Sequence, residues 1–236
     1  MQETWLGALR RVLLELLAPS TCAACGVPLD VDGLLCATCD DASAPLFEAL
    51  PGGIPLVAAC AYGGGVARAI TRFKYGGRPD LAAPLARRLW PVVASVKPGS
   101  DALVVPVPLH PHKLARRGYN QSALLAAELA KLLGLRLRAR ALQRTRDTSE
   151  QASLSRVERL ENVAYAIDPR VALTGAHVLL VDDVVTTGAT VLACVRALRE
   201  AGAIKVTTVA VARATERSHV RADEAGHAAA LPVRQK

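Results

Sequence analysis

Aromatic residues are scarce in this chain, where phenylalanine, tryptophan and tyrosine together make up 3% of 236 residues. Hydrophobic residues still amount to 51%, so the core must be built mainly of alanine, leucine and valine. The shortage of rings counts against a surface that stacks the bases of single-stranded nucleic acid. With 21% charged residues, the composition predicts a globular protein rather than a disordered one.

The sequence also lacks an uncharged apolar stretch long enough to span a membrane, as well as internal repeats and low-complexity tracts. Residues 3–18 are predicted to form an amphipathic helix that packs on the next segment, with attachment to a membrane surface as the alternative. A signal peptide is disfavoured because Glu15 interrupts the short apolar run. The predicted apolar face consists of Trp5, Leu9, Val12, Leu13 and Leu16.

Basic residues outnumber acidic ones, which gives a net charge of +8 and a pI of about 9.5. This balance suits an anionic ligand, either a sugar phosphate or a nucleic acid. A basic surface that serves only solubility is the alternative, and charge alone does not decide between them.

Four of the six cysteines form two Cys-x-x-Cys pairs that are separated by ten residues. Four thiolates close a tetrahedral zinc site without an open position, which predicts a structural metal; a redox dithiol or unliganded cysteines are the alternatives. The pattern favours a reducing compartment, the cytosol. The predicted ligands are Cys22, Cys25, Cys36 and Cys39, whereas Cys60 and Cys194 are expected in the core.

Two adjacent acids follow a short apolar run at residues 178–181. The run predicts a buried strand of a parallel sheet, so Asp182 and Asp183 fall at its carboxyl end, where ligand crevices form. Residues 186–190 then lead into a helix, and the N–H groups at a helix N-terminus attract anions. An acceptor of diol hydroxyls beside a phosphate cradle predicts a ribose 5-phosphate site.

Other structures fit parts of the same stretch less well. A buried strand followed by a capped helix needs only one polar side chain, such as Asp183 or Thr187, and leaves the rest of the run unexplained. The glycine spacing matches neither a Walker A loop nor a dinucleotide-binding fingerprint.

The remaining elements follow from periodicity and turn residues. A linker is expected at residues 45–55. Strands are expected at 56–62, 102–108, 136–142, 163–167 and 206–212, and helices at 79–96, 123–133 and 191–200, besides one that reaches residue 73. Pro91 is expected to break or kink the helix at 79–96, with Leu81, Leu85, Leu89 and Trp90 inward. The arginine-rich residues 143–162 predict either a mobile lid or an exposed helical hairpin.

Basic side chains recur in several predicted loops. Lys74 lies in a glycine-rich segment that predicts either an anion contact or a solvated turn. Arg116 and Arg117 follow the stiff Pro106-Val107-Pro108 stretch and can approach an anion there. Arg144 opens the predicted lid.

Residues 178–190 resemble the phosphoribosyl pyrophosphate (PRPP) motif of type I phosphoribosyltransferases. Together with the cysteine pairs, further motifs across residues 12–213 resemble the ComF family. These motifs are Phe73-Lys74-Tyr75-Gly76-Gly77, Pro106-Val107-Pro108-Leu109, Arg117-Gly118-Tyr119-Asn120-Gln121, Gln151 with Leu154, Arg159 with Asn162, and Val181-Asp182-Asp183.

The resemblance implies an α/β fold: a type I phosphoribosyltransferase-like parallel sheet flanked by helices, with a small N-terminal zinc module built on four cysteines. The implied division is residues 1–50 for the helix and zinc module, 51–213 for the phosphoribosyltransferase-like domain, and 214–236 for a disordered tail.

The resemblance also implies roles for the site residues, with PRPP bound together with Mg²⁺. Asp182 and Asp183 would bind the ribose hydroxyls, and the cations would stabilise the departing pyrophosphate. The 5-phosphate would be held by Val184, Val185, Thr186, Thr187, Gly188, Ala189 and Thr190, and the pyrophosphate by Lys74, Arg116, Arg117 and Arg144.

What the resemblance implies leaves two function classes open. One is a phosphoribosyltransferase associated with competence and DNA uptake, whose acceptor is not legible. The other is a non-catalytic protein that binds nucleotides or single-stranded DNA and acts with a helicase partner.

Overall fold

The computed structural model describes residues 20–29, 33–40, 43–145 and 167–214, which contain eight strands and five α-helices. The strands are β1 (Leu46–Leu50), β2 (Ile54–Ala61), β3 (Leu103–Pro106), β4 (Arg136–Leu137), β5 (Leu142–Arg144), β6 (Ile167–Pro169), β7 (His177–Val185) and β8 (Lys205–Arg213). The helices are α1 (Gly64–Tyr75), α2 (Ala82–Ser95), α3 (Pro111–Arg117), α4 (Gln121–Leu133) and α5 (Ala189–Glu200), and a 3₁₀ turn spans Pro79–Leu81.

Six strands form the central sheet in the order β1-β2-β8-β7-β3-β4. All neighbours are parallel except β1, which pairs with β2 in the antiparallel direction. From β3 the chain continues outward to the edge strand β4, whereas from β7 it continues the other way to β8. The carboxyl ends of β3 and β7 therefore flank the topological switch point, where open α/β sheets bind ligands.

Aliphatic side chains cover both faces of the sheet. On one face, α1, α2 and α4 pack on the sheet and bury Phe73, Leu89 and Leu125 completely. On the other, α5 packs through Cys194 and Leu198, beside the two-stranded sheet of β5 and β6. Burial raises the pKa of the Cys60 and Cys194 thiols, so both are small, unreactive core residues, which confirms their prediction.

Most predicted elements are present, and three predictions need correction. The predicted linker at 45–55 contains β1, which forms a hairpin with β2. The strand predicted at 136–142 is two short strands in different sheets. Of the two effects predicted for Pro91, a break is wrong, because helix α2 continues through it to Ser95. Trp90 is 41% exposed instead of inward, while Leu81, Leu85 and Leu89 are buried as predicted.

The N-terminal cysteine module packs directly on the helices of one face. Ala23 and Leu34 join the core formed by α1 and α2, and Asp40 forms an ion pair of 2.8 Å with Arg88. A Cβ atom on Gly65 would overlap the carbonyl oxygen of Cys39. Only glycine fits at this contact between α1 and the module.

Several predicted segments lie outside the described residues: the helix at 3–18, the lid beyond residue 145, the strand residues 163–166 and the tail beyond residue 214. The division of the chain into domains stays a prediction. Among the helices that the structure describes, none combines the length and apolar character that crossing a bilayer requires.

Candidate functional site

A pocket opens at the switch point because β3 ends before β7 does. The pairing of these strands stops at Pro106 and Val181. β7 continues to Val185 along β8. Prolines at 106 and 108 lack the N–H donors that would extend the ladder. Asp182 and Asp183 thus lie on a strand whose other edge is open.

The cavity at this edge has a volume of about 160 Å³. Three of the four basic residues predicted for an anion site line it. The fourth, Arg116, is exposed and lies outside the lining. The full lining is Lys74, Val107, Pro108, Leu109, Arg117, Asn120, Gln121, Ser122, Arg144, Asp182, Asp183, Val184 and Thr190. The fold therefore gathers both signs of charge in one pocket.

The two acids have different partners. Asp182 accepts hydrogen bonds at Oδ1 from the hydroxyl of Ser122 and from the backbone N–H of Asp183, each 2.9 Å long. Asp183 forms an ion pair with Lys74, with 2.9 Å between Nζ and Oδ1. The Asp183 side chain is only 7% exposed, so this pair is held largely away from water.

Burial and mutual repulsion shift the titration of this cluster. Loss of hydration and then the charge of Asp183 raise the pKa of Asp182 to about 7. Burial alone would lower the pKa of Lys74, but the charge and hydrogen bond of Asp183 outweigh it and raise that pKa. Lys74 is consequently an ammonium ion at neutral pH, and Asp182 can exchange a proton there.

The raised pKa of Asp182 predicts a pH-dependent stability. The folded state holds this proton more tightly than the unfolded state does, so the proton stabilises the folded protein. This stabilisation is complete below about pH 4 and is lost as the pH rises through about 7. Asp182→Asn cannot titrate. Its unfolding free energy relative to the parent should therefore increase from pH 5 to pH 8.

Denaturant unfolding at several pH values measures this difference. Asp168 is exposed on β6, and Asp168→Asn serves as a control with the same change of residue type. If the two variants keep the same offset from the parent at every pH, the proposed titration of Asp182 is wrong.

The loop after β7 surrounds a second, smaller cavity of about 60 Å³. Its lining comprises Asp182 and residues 184–191, and it shares Asp182, Val184 and Thr190 with the larger cavity. Gly188, at φ 81°, is the N-cap of α5 and offers no side-chain cap; Thr187 Oγ1 accepts a 3.4 Å hydrogen bond from the N–H of Ala189. The loop presents helix N-terminal donors beside the acids.

Arg117 Nε and Gln121 Nε2 are buried donors of the larger cavity that have no hydrogen-bond acceptor among the described residues. Gln121 is 2% exposed and holds the Arg117 guanidinium through a 3.0 Å bond from Nη1 to Oε1. Buried donors normally have partners, so an acceptor group supplied by a ligand fits this side of the cavity.

The four predicted metal ligands converge in the N-terminal module. Their Sγ atoms all lie within 4.8 Å of one another, and those of Cys25 and Cys36 are 3.7 Å apart. Tetrahedral coordination with Zn–S bonds of about 2.3 Å separates the sulfurs by about 3.8 Å. The cluster therefore has the donors and the spacing to hold one metal ion.

Two residues that sequence reasoning missed hold the loop after β7 from behind. Arg213 at the end of β8 bonds to that loop, and Glu48 of β1 pairs with Arg213 at 3.0 Å. No local sequence pattern predicts this ion pair, because 165 positions separate the two residues along the chain.

Comparisons with known proteins agree with this arrangement. The phosphoribosyl transferase domain family matches residues 119–226. The chain is 32% identical over 191 residues to the DNA utilization protein YhgH of Salmonella typhi, covering 79% of this chain and 81% of that protein. It is also 32% identical over 152 residues to competence protein F of Haemophilus influenzae, covering 61% and 66% of the two chains.

Among solved structures, the chain is similar to a hypoxanthine phosphoribosyltransferase from Staphylococcus aureus, with 14% identity and a TM-score of 0.39 over 59% of this chain and 66% of that one. The family assignment depends on the sequence matches and not on this likeness. The chain belongs to the ComF family, whose members carry a phosphoribosyltransferase-like domain.

Proposed function

We propose that this protein binds PRPP with Mg²⁺ and transfers its phosphoribosyl group to an acceptor, releasing pyrophosphate. The observation that carries the proposal is that two adjoining cavities share Asp182. One is surrounded by residues 184–190, which we call the phosphate loop, and the other is lined by Lys74, Arg117 and Arg144. A ribose between two phosphate groups matches this order of subsites.

In this proposal the acids at the end of β7 hold the ribose. Carboxylate oxygens of Asp182 and Asp183 accept hydrogen bonds from adjacent hydroxyls, and the 5-phosphate occupies the loop formed by residues 184–190. The N–H groups at the start of α5 and the hydroxyls of Thr186 and Thr187 then face an anion.

Pyrophosphate would occupy the cation-lined side. As the bond from the anomeric carbon to pyrophosphate breaks, negative charge accumulates on the leaving oxygen, where Lys74, Arg117 and the unsatisfied donor of Gln121 lie within the same lining. Mg²⁺, when bound with PRPP, would neutralise part of this charge. When the ribose hydroxyls bind Asp183, the Lys74 ammonium moves from Asp183 to the phosphate oxygens.

We propose zinc as the metal of the cysteine cluster, in a structural role. Four thiolates without a further donor leave no position for a substrate, which is typical of structural zinc. The small module contributes few residues of its own to the core, so bound metal would supply much of its stability.

Calorimetric titration of PRPP with Mg²⁺ into the zinc-loaded protein tests the proposed function. We expect binding with a dissociation constant in the micromolar range, which justifies an acceptor screen that follows pyrophosphate release. Ribose 5-phosphate and inorganic pyrophosphate, titrated separately, report on the two subsites. A protein that binds none of the three ligands contradicts the proposal.

Binding of single-stranded nucleic acid is a second candidate. Tyr75 is 65% exposed beside the cavity, and the Arg117 guanidinium lies 4.7 Å from its ring centre. Such a pair can stack a base, and the Salmonella typhi relative is named a DNA utilization protein. Fluorescence anisotropy with a labelled oligonucleotide should show salt-sensitive binding that Tyr75→Ala weakens. Equal affinity for parent and variant would exclude Tyr75 from the interface.

A further inference from the structure

Arg213 lies behind the phosphate loop and contacts two consecutive carbonyl oxygens. Its Nη1 donates to the carbonyl of Val185 at 3.2 Å and to the carbonyl of Thr186. Its Nε donates to Glu48 Oε2 at 3.0 Å. The guanidinium is thereby fixed between β1 and the loop, and its side chain is 17% exposed.

These contacts determine where the loop amides point. In a trans peptide unit, the C=O and the following N–H point in opposite directions. With the carbonyls of Val185 and Thr186 turned toward Arg213, the N–H groups of Thr186 and Thr187 point away from it. Arg213 does not line the small cavity, whereas Thr186 and Thr187 do.

β1 supports the same loop at a second point. A Cβ atom on Gly188 would lie 3.4 Å from Leu50 Cδ2, so the Leu50 side chain packs against the turn. The carbonyl of Val185 also accepts a 2.9 Å bond from the N–H of Ala214. The loop therefore rests on β1 and on the end of β8.

We propose that Arg213, held by Glu48, is a positioning residue that orients the Thr186 and Thr187 amides for the 5-phosphate. The proposal rests on the proposed function of the loop as a phosphate site. Because Glu48 balances the charge of Arg213, the main contribution is orientation rather than attraction. Donors fixed before binding lose little entropy when the anion arrives.

Arg213→Lys separates orientation from charge. Lysine keeps the positive charge, but a single ammonium cannot replace the planar fork that joins Glu48 to two carbonyls. In calorimetric titrations of ribose 5-phosphate we expect the dissociation constant of Arg213→Lys to be about tenfold larger than that of the parent. This loss corresponds to one charge-assisted hydrogen bond. Glu48→Gln should weaken binding less, because the amide oxygen still accepts from Arg213.

Arg196→Lys is the matched control, since Arg196 lies on α5 and faces Glu200 at 3.9 Å. It should bind ribose 5-phosphate as the parent does. Thermal unfolding of all variants separates a loss of loop geometry from a general loss of stability. Equal affinities for the parent and Arg213→Lys would overturn the proposal.

Amide NMR of the unliganded protein supplies a readout that does not need a ligand. In Arg213→Lys the Thr186 and Thr187 amide signals should shift or broaden, while those of α4 remain in place. Unchanged Thr186 and Thr187 signals would overturn the positioning role by themselves. If the parent binds no ribose 5-phosphate, the proposed phosphate site fails, and the amide signals still decide whether Arg213 orients the loop.

Discussion

Replacing Asp182 and Asp183 together by asparagine is expected to weaken PRPP binding by about a hundredfold or more while leaving the protein folded. Each hydrogen bond to a charged group contributes about 1.5–3 kcal/mol, and about 1.4 kcal/mol corresponds to a factor of ten in affinity. Two ribose contacts would lose their charge at once. Calorimetric titration with Mg²⁺ present measures the effect.

The fold should survive this change for an electrostatic reason. Repulsion from Asp183 is one cause of the raised pKa of Asp182, and the double variant removes that repulsion. In the parent protein the Ser122 hydroxyl donates a 2.9 Å hydrogen bond to Asp182. The side-chain amide oxygen of Asp182→Asn can still accept this bond. Lys74 loses its counter-charge, which offsets part of this gain.

A matched control is the pair Asp101→Asn and Asp168→Asn, two exposed acids outside the pocket lining. This variant removes the same number of carboxyl groups and should bind PRPP like the parent. Unchanged affinity in the Asp182 and Asp183 variant would remove the ribose site from the proposal. A loss in both double variants would point to the overall charge instead.

Cys36→Ser is expected to lower bound zinc well below one ion per chain and to destabilise the N-terminal module. Removing one of four thiolates opens the coordination shell, and structural zinc provides about 10–16 kcal/mol of apparent binding free energy in small zinc-dependent peptides. The loss of stability should be smaller than this free energy, because Ala23 and Leu34 pack on the main core and hold the module there without the metal. Elemental analysis and thermal unfolding record the two effects.

Cys194→Ala serves as the control for zinc content. Cys194 is completely buried on α5 and lies outside the cysteine cluster, so its removal costs packing but no metal ligand. Zinc content should remain at the parent level in this variant. If the parent protein contains no zinc, the proposed zinc site is wrong.

The core of the site was predictable because it depends on neighbours in sequence. The apolar run before Asp182 predicts a strand, and the residues after it predict the loop and helix that the structure contains. Cysteine spacing likewise predicted a cluster whose members lie close together. In both places the chemistry and the local structure are specified by the same short stretch.

The parts that were missed depend on tertiary contacts. The Gly52-Gly53 pair and the flanking prolines suggested a linker, yet the glycines turn a hairpin whose first strand is held by pairing with β2. The sequence predicts one strand over residues 136–142, but the register of strand pairs with β3 covers Arg136 and Leu137 and goes no further. The role of Arg213 depends on β1 and the β7 loop, which no sequence window covers together.

The contact between Gly65 and the Cys39 carbonyl has a consequence for recombination between relatives. In a chimaera whose junction lies between residues 40 and 64, the cysteine module comes from one protein and helix α1 from the other. If that helix carries a side chain at position 65, there is no room for the Cys39 backbone. A crossover after residue 65 keeps the two surfaces from the same parent. The first turn of α1 must therefore match the cysteine module, although it belongs to the fold of the sheet.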